Sequence, residues 1–275
     1  MKPVAFDYLQ ARDLHQAAEA LARSAGAKII AGAQSLGPLL NLRLARPELL
    51  VDISRVRELQ RIEETDSRWR IGAGVTHAQL EDLGARLVGA EMVSEVAAQI
   101  AYRSVRNRGT IGGSLAHAEP AADWPLALAA LGAVLVLKGR GGSEQRVAAD
   151  SFMLAAFITV LKQDEIVTAI EIPKRGREIR YGYFKFCRKT GDFPESSAAV
   201  VVDPGRSGRI FIGALSGAPQ ALTELAEAVS SDGMRAATEE ATMAAVAAAA
   251  PEMEVIEVRM HAATVRHAVK QAFRQ

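Results

Sequence analysis

The sequence predicts an α+β fold with about two domains, and three observations indicate it. Strand-like and helical segments alternate as far as residue 172, whereas the remainder contains strand-like runs first and alanine-rich helices last. Between these parts, Pro173 and the charged residues after it favour the end of a strand. Hydrophobic residues make up 49% of the 275 positions, enough for a core in each part. We expect one domain at 1–176, with subdomains of about 1–55 and 56–176, and another at 177–275.

The first part is predicted to begin with a helix and a strand. Helical spacing is shown by Leu14, Ala17, Ala18, Leu21 and Ala22. An apolar strand at 28–31 then ends at Gly32. Apolar runs and alternation predict further strands at 49–53, 59–64, 69–72, 134–137 and 165–172. Helices are expected within 76–98 and from Asp123 onward.

The second part has a different pattern. Strand-like runs at 180–187, 198–202 and 209–215 favour an antiparallel meander, joined partly by a tight turn at Asp203-Pro204-Gly205. Three alanine-rich helices are expected near 219–230, 234–249 and 256–272.

Composition excludes several kinds of partner and metal centre. The net charge of +1, from 33 basic and 32 acidic residues, is too small to predict nucleic-acid binding. The longest uncharged apolar run, 124–137, is shorter than the roughly 20 residues of a transmembrane helix. The N-terminal residues lack the pattern of a secretory signal, so a cytoplasmic protein is expected. Cys187 is the only cysteine, and an iron–sulfur cluster or a structural zinc site would therefore have to lie on a partner chain.

A loop of small residues, 31–36, follows the strand predicted at 28–31. It leads into a predicted short helix. Small residues allow a ligand to approach the backbone, and unpaired N–H groups at a helix start favour an anion. Such turns also join strands to helices without any ligand, so this loop alone is weak evidence for a phosphate site.

A second loop, at 106–120, is more specific. Its first nine residues include two arginines, three glycines within five positions and two hydroxyl side chains: Arg106, Arg108, Gly109, Gly112, Gly113, Thr110 and Ser114. A tight turn needs one glycine, whereas a bound dianion fits this set of residues. Two such loops predict a ligand with two phosphates, that is, a dinucleotide.

The predicted dinucleotide site differs from a Rossmann site. Neither loop forms G-x-G-x-x-G after the first strand, and no acidic residue lies at the expected ribose spacing. A flavin dinucleotide in a different fold is therefore favoured over a nicotinamide dinucleotide.

The chain resembles the FAD-binding medium subunits of the molybdenum hydroxylases, the carbon monoxide dehydrogenase and xanthine dehydrogenase family. The two loops resemble the family's two pyrophosphate motifs, and the second match is the more specific. Further similar segments extend over nearly the whole chain, at 43–47, 51–53, 71–76, 165–167, 185–186 and 192–193.

This resemblance implies a fold and partners. The fold would be a two-part FAD-binding domain of the vanillyl-alcohol-oxidase (PCMH) type, followed by a smaller domain with a three-stranded antiparallel sheet and helices. Electrons would pass from a molybdenum-pterin centre on a large subunit, through [2Fe-2S] clusters on a small subunit, to non-covalent FAD here and on to an external acceptor. The complex would be a heterotrimer or a dimer of heterotrimers.

The resemblance also implies which residues bind FAD. The pyrophosphate would be surrounded by Ile30, Ala31, Gly32, Ala33, Gln34, Ser35 and Leu36 from one loop and by Thr110, Ile111, Gly112, Gly113 and Ser114 from the other. Other residues expected at the cofactor are Ile100 near the flavin, His117, Asp123, Val167 and Lys185. The Lys185 ammonium would stabilise the negative charge of a reduced flavin. The family usually has glycine where this chain has Ala33.

Two other functions stay open at this stage. A free-standing flavin-dependent oxidoreductase of the same superfamily would need its own substrate pocket and proton donor, for which the sequence offers no convincing residue. A nucleotide-binding docking protein without redox activity would show no flavin absorbance. No His, Asp and Ser set has the spacing of a nucleophilic triad, so no catalytic or metal-ligating residue is predicted. His77 lacks a spaced partner and is predicted to be a surface or hydrogen-bonding residue.

Overall fold

A computed structural model describes residues 2–176, 178–203 and 208–274. The N-terminal part contains a three-stranded parallel sheet of β1 (Asp7–Gln10), β3 (Leu49–Asp52) and β2 (Ala27–Ile30), in that order. Helix α1 (Leu14–Arg23) begins at the Asp13 cap and buries its apolar face, while the short α2 (Leu36–Asn41) follows β2. The helix and strands expected in 14–53 are found within one or two residues, whereas β1 was not predicted.

The second sheet is antiparallel and has five strands. Its order is β4 (Ile62–Glu64), β5 (Arg68–Gly72), β10 (Ile166–Pro173), β6 (Val134–Lys138) and β7 (Glu144–Ala148). The central strand, β10, is buried from Ile166 to Ile172 and is mainly apolar. The polar residues within it, Thr168 and Glu171, are buried as well, and both form hydrogen bonds. Residues 57–60 form a 3-10 turn in place of the strand predicted to begin at Leu59. A small hairpin of β8 (Met153–Ala155) and β9 (Ile158–Thr159) precedes β10.

Five helices lie between β5 and β6. Their bounds are α3 (His77–Leu83), α4 (Met92–Gln99), α5 (Arg103–Arg106), α6 (Ile111–His117) and α7 (Asp123–Leu131). Every residue of α7 is buried, because this helix packs between the five-stranded sheet and the C-terminal sheet. Within the described residues, no helix is long and apolar enough to cross a bilayer.

The C-terminal part pairs an antiparallel sheet with three helices. The sheet follows chain order, with β11 (Arg180–Phe186), β12 (Ser196–Val202), β13 (Arg209–Gly213) and β14 (Gln220–Ala221). The three predicted strands are present, and β14 adds a two-residue edge strand too short to leave an alternating pattern in the sequence. The helices are α8 (Thr223–Asp232), α9 (Glu239–Ala249) and α10 (Val255–Ala272). The turn predicted at Asp203-Pro204-Gly205 extends beyond the described residues.

Two apolar cores hold these layers together. The larger core joins residues from the three-, five- and four-stranded sheets, including Val51 from β3, Ile170 from β10 and Val201 from β12. The smaller core lies between the C-terminal sheet and α8, α9 and α10. The domain boundaries predicted near residues 55 and 176 stay predictions.

Candidate functional site

The first small-residue loop presents a series of backbone donors. Gly32, Ala33, Gln34, Ser35 and Leu36 follow one another between β2 and α2, and within the described chain none of their amide N–H groups has a protein acceptor. The loop is closed by other bonds: Gly37 N donates to Ala33 O at 2.9 Å, and Gln34 Nε2 donates to Gly32 O at 3.2 Å. Consecutive free amides in a turn form a site that favours an anion.

Most backbone amides of the second loop donate hydrogen bonds to acceptors within the protein. Ile111 N donates to Val75 O at 3.0 Å and Gly112 N to Ala73 O at 2.9 Å. Gly113 N donates to Thr110 Oγ1 at 3.1 Å, an N-cap interaction that begins α6. Among the described residues, the Thr110 amide has no protein acceptor. In this loop, the groups that could bind a phosphate are therefore the Thr110 N–H and the hydroxyls of Thr110 and Ser114.

The two loops meet directly. A Cβ on Gly32 would collide with the carbonyl oxygen of Arg108 and would lie 2.7 Å from its carbonyl carbon. A Cβ on Gly112 would lie 2.7 Å from Ala73 O. Gly32 and Gly112 are therefore required for packing between segments, whatever ligand is bound. Gly113 is exposed, and a Cβ there would meet Thr110 Oγ1 at 2.7 Å.

A cleft of about 600 Å³ opens beside the junction of the loops. Its lining includes Gly32, Ser54, Gln79, Asn107, Arg108 and Thr110. The volume is in the range of small-molecule sites, about 300–1,000 Å³. Arg108 is exposed, and the described part of the chain supplies it with no ion pair. Its guanidinium is therefore available to an anionic ligand.

Arg106, by contrast, is buried, and all three of its guanidinium nitrogens donate hydrogen bonds within the protein. Its Nε and Nη2 bind the two carboxylate oxygens of Glu81 at 2.8 and 3.0 Å. Its Nη1 donates to Ile100 O at 3.0 Å and to Ala101 O at 2.8 Å. The charge expected near the phosphates from Arg106 is consequently neutralised by Glu81, whose pKa is lowered chiefly by its hydrogen bonds to Arg106.

Asp123 and Lys185 form a buried ion pair. Lys185 Nζ lies 2.9 Å from Asp123 Oδ1 and also donates to Gln99 O at 2.9 Å. Tyr183 OH donates to the same Asp123 oxygen at 2.6 Å. Burial raises the pKa of Asp123, while the charge of Lys185 opposes that rise. Lys185 therefore has a carboxylate partner in the protein, and its predicted effect on a reduced flavin would act through this pair.

The remaining residues predicted at the cofactor differ in how far they are buried in the core. The side chains of Ile111 and Val167 are part of the larger core, which leaves the Val167 backbone as the group able to reach a cofactor. Ile100 packs at the edge of this core. His117 ends α6, and its ring centroid lies 5.2 Å from that of Phe157. Burial lowers the pKa of His117.

His77 serves as a buried hydrogen-bond acceptor. Trp124 Nε1 donates to His77 Nδ1 at 3.1 Å, and burial lowers the histidine pKa to about 4. The ring is therefore neutral near pH 7, as expected for a structural histidine.

Some site residues were not predicted from the sequence. Tyr183 is two positions before Lys185 in β11, and this spacing places both side chains on the same face of the strand. The period of two could therefore have indicated it. Glu81 and Gln99 have no local signal, because their roles depend on contacts with residues distant in sequence.

These features fit a dinucleotide that has a diphosphate bridge. Five free amides, the Thr110 hydroxyl and the Arg108 guanidinium are the donor types that bind phosphate oxygens. The adjacent cleft is large enough to hold part of such a ligand.

Comparison with known proteins identifies the family. Residues 4–175 match the model of the FAD binding domain in molybdopterin dehydrogenase. The chain is 38% identical over 226 residues to the 6-hydroxypseudooxynicotine dehydrogenase complex subunit alpha of Paenarthrobacter nicotinovorans, covering 81% of this chain and 76% of that subunit. It is also 38% identical over 205 residues to the carbon monoxide dehydrogenase medium chain of Hydrogenophaga pseudoflava, covering 74% and 70%.

A solved structure extends the similarity to the whole chain. The reconstituted CO dehydrogenase from Oligotropha carboxidovorans contains a chain with a TM-score of 0.92 and 29% identity, and the match covers 99% of both chains. The C-terminal sheet and helices are thus included in the shared fold. The chain therefore belongs to the family of FAD-binding domains in molybdopterin dehydrogenases, and it is an oxidoreductase flavoprotein of the medium-subunit type.

Proposed function

We propose that this chain accepts electrons from a small [2Fe-2S] subunit and passes them, by means of non-covalent FAD, to an external acceptor. The substrate would be oxidised at a molybdenum-pterin centre on a large subunit. The observation that carries the cofactor site is the contact between the two loops, with five free amides in the first. FAD supplies the redox chemistry when bound, and the chain supplies its position and electrostatic environment.

The proposed binding residues divide by the part of FAD that they would hold. The amides of 32–36, together with Thr110 and Ser114, would bind the diphosphate, and Arg108 would neutralise part of its charge. Ile100, the Val167 backbone, and the Asp123 and Lys185 pair would lie toward the flavin, with His117 nearby. This assignment follows the resemblance of the motifs and is supported by the donors left available in the structure.

The partners are also part of this proposal. The similar proteins include a subunit of a dehydrogenase complex and a nicotine 6-hydroxylase medium subunit, which supports a multi-subunit enzyme over a free-standing oxidoreductase. A heterotrimer, or a dimer of heterotrimers, is proposed here, with cytoplasmic location. The substrate stays open, because relatives named for nicotine, caffeine and carbon monoxide have similar identity to this chain.

Reconstitution tests the cofactor. The full chain, stripped of flavin and incubated with FAD, should bind one FAD per chain and show the visible absorption of an oxidised flavin. Riboflavin, which lacks the diphosphate, should bind far more weakly. A well-folded chain that binds no FAD would refute the proposed function.

Co-purification tests the electron-transfer role. The tagged chain should isolate together with an iron–sulfur chain and a large molybdenum-containing chain, and reduction of the clusters should bleach the flavin. A purified chain that oxidises an organic substrate without these partners would instead favour the free-standing alternative.

A further inference from the structure

The turn that follows α4 has an unusual set of hydrogen bonds. Its three consecutive carbonyl groups, at 99–101, all accept hydrogen bonds from buried cationic side chains. Lys185 Nζ donates to Gln99 O at 2.9 Å, while Arg106 Nη1 donates to Ile100 O at 3.0 Å and Ala101 O at 2.8 Å. Two cations, one from the C-terminal sheet and one from α5, therefore hold one short turn.

Each cation is itself held by a carboxylate. Asp123 pairs with Lys185, and Glu81 binds Arg106 through both of its oxygens. The side chains of Lys185 and Arg106 are only 5% and 11% exposed. Charge-assisted bonds in a buried setting are directional and strong, so these two pairs are able to fix the conformation of the turn.

The backbone of the turn requires such support. Ala101 has a φ of 43°, in the left-handed region, which an L-residue other than glycine adopts at a free-energy cost of about 1 kcal/mol. Gly191 packs against the same residue, since a Cβ on Gly191 would lie 2.8 Å from Ala101 O. The turn is therefore held in a conformation that alanine does not favour alone.

This conformation leaves two backbone donors available. The carbonyls of Ile100 and Ala101 are bound to Arg106, whereas within the described residues the amide N–H groups of Ala101 and Tyr102 have no protein acceptor. A flavin ring carries several hydrogen-bond acceptors, and donors near them change its electronic properties.

We propose that Arg106, supported by Glu81, is a positioning residue that holds this turn so that the Ala101 and Tyr102 amides donate to the flavin ring of FAD. The inference rests on the proposed function, because it assumes that FAD binds at these loops. Lys185, supported by Asp123, holds the preceding carbonyl in the same way. The buried Arg106 would thus affect the flavin through the backbone, without touching the cofactor.

A matched pair of arginine variants tests this role. Arg106→Gln removes the bonds to the turn, whereas Arg103→Gln serves as the control. Arg103 also binds Glu81, at 2.7 Å, and Asp82, but makes no bond to a carbonyl of the turn. Both variants remove one positive charge from α5. The full chain, loaded with FAD, would be compared by FAD titration, flavin absorption spectrum and flavin midpoint potential.

We expect Arg106→Gln to weaken FAD binding by about tenfold or more, the loss expected for a charged hydrogen-bond network. Its residual bound flavin should have a shifted spectrum and midpoint potential. Arg103 lines the cleft but does not contact the turn, so Arg103→Gln should change all three values much less than Arg106→Gln. Adding Ala101→Gly to Arg106→Gln should restore part of the affinity, because glycine adopts positive φ without the support of Arg106.

Several outcomes would overturn the inference. One is an Arg106→Gln protein with wild-type affinity, spectrum and potential, and another is an Arg103→Gln protein that changes as much. If Arg106→Gln does not fold, Glu81→Gln carries the same expectation, since it weakens the support of Arg106 while leaving the guanidinium in place. Failure of the wild-type chain to bind FAD would refute the proposed function, whereas normal wild-type binding with unaffected variants would refute only this inference.

Discussion

At the residue scale, Ala33 introduces backbone strain into the loop proposed to bind FAD. Its φ of 61° lies in the left-handed region, where the related motif usually has glycine. The free amides on either side of it depend on this conformation, since they belong to the same turn. The first loop therefore retains its shape at the expense of stability.

Replacing Ala33 with glycine should stabilise the protein. Removing the strained Cβ is expected to raise the free energy of unfolding by about 0.5–1 kcal/mol, measured by urea denaturation of the flavin-free chain. Ala31→Gly is the control, because Ala31 does not have positive φ, and that change should lower stability. An equal loss of stability in both variants would contradict the assignment of strain to Ala33.

The buried pair of Asp123 and Lys185 permits a second prediction. Lys185→Met should lower the free energy of unfolding by about 3–5 kcal/mol, because it leaves a buried carboxylate without its cation. Asp123→Asn combined with Lys185→Met should lower it by less than the sum of the single changes. Additive effects in a urea-denaturation cycle would show that the two groups do not depend on each other.

At the scale of elements, the contact between the two loops is the central feature of the site. The first loop joins β2 to α2, and the second joins α5 to α6, yet Gly32 lies against the Arg108 carbonyl. The second loop in turn lies on the segment that follows β5, because Ile111 and Gly112 donate to the carbonyls of Val75 and Ala73. The site thus depends on the relative position of two sheets.

Gly32→Ala should separate the loops. The added Cβ collides with backbone atoms of 108–109, which cannot rotate away, so we expect a loss of about 1–3 kcal/mol in stability and much weaker FAD binding. Gly37→Ala is the control: a Cβ there would meet only the Ala33 Cβ, at 3.8 Å, and alanine favours a helix. Denaturation and FAD titration would be measured on both. Full FAD affinity in Gly32→Ala would show that loop contact is not needed for binding.

At the scale of the whole molecule, two buried histidines link stability to pH. Trp124 donates to His77, and Ser196 lies 2.9 Å from His261 Nδ1 in the C-terminal part. Burial lowers the pKa of each histidine from 6.5 to about 4. The unfolded chain therefore binds more protons than the folded chain between pH 6.5 and 4, so stability is present above this range and is lost as pH falls through it.

Comparison of pH 7.5 with pH 5 should measure this linkage. Each histidine is expected to account for a loss of about 2 kcal/mol in unfolding free energy over that interval. His77→Gln retains an acceptor for Trp124 and cannot titrate, so the loss on acidification should be smaller in this variant by about that amount. An unchanged pH dependence in the variant would contradict the assignment of His77.

The sequence predicts helices and strands well where apolar residues recur at a regular spacing or form a run. The mainly apolar segment predicted as a strand at 165–172 and the helical spacing predicted from Leu14 correspond closely to β10 and α1. It does not predict β1, β7 or β14. The strands β1 and β7 lie at sheet edges and are mostly polar and exposed, while β14 has only two residues, so none of them shows the pattern of a half-buried strand. The loops at 31–36 and 106–114 were recognised from their small residues and glycines. The roles of Glu81 and Gln99 could not be recognised, since each depends on a partner more than twenty positions away.

The order of residues alone was sufficient to indicate the family, the FAD cofactor and the two loops, because motif residues and periodicity are local properties of the chain. The tertiary structure decided which backbone amides remain free. It also decided that Arg106 turns inward while Arg108 lines the cleft, and that Lys185 is paired with Asp123. The physical reason is that hydrogen bonds and ion pairs are shared between segments brought together by folding, and a donor is available to a ligand only if no such partner takes it.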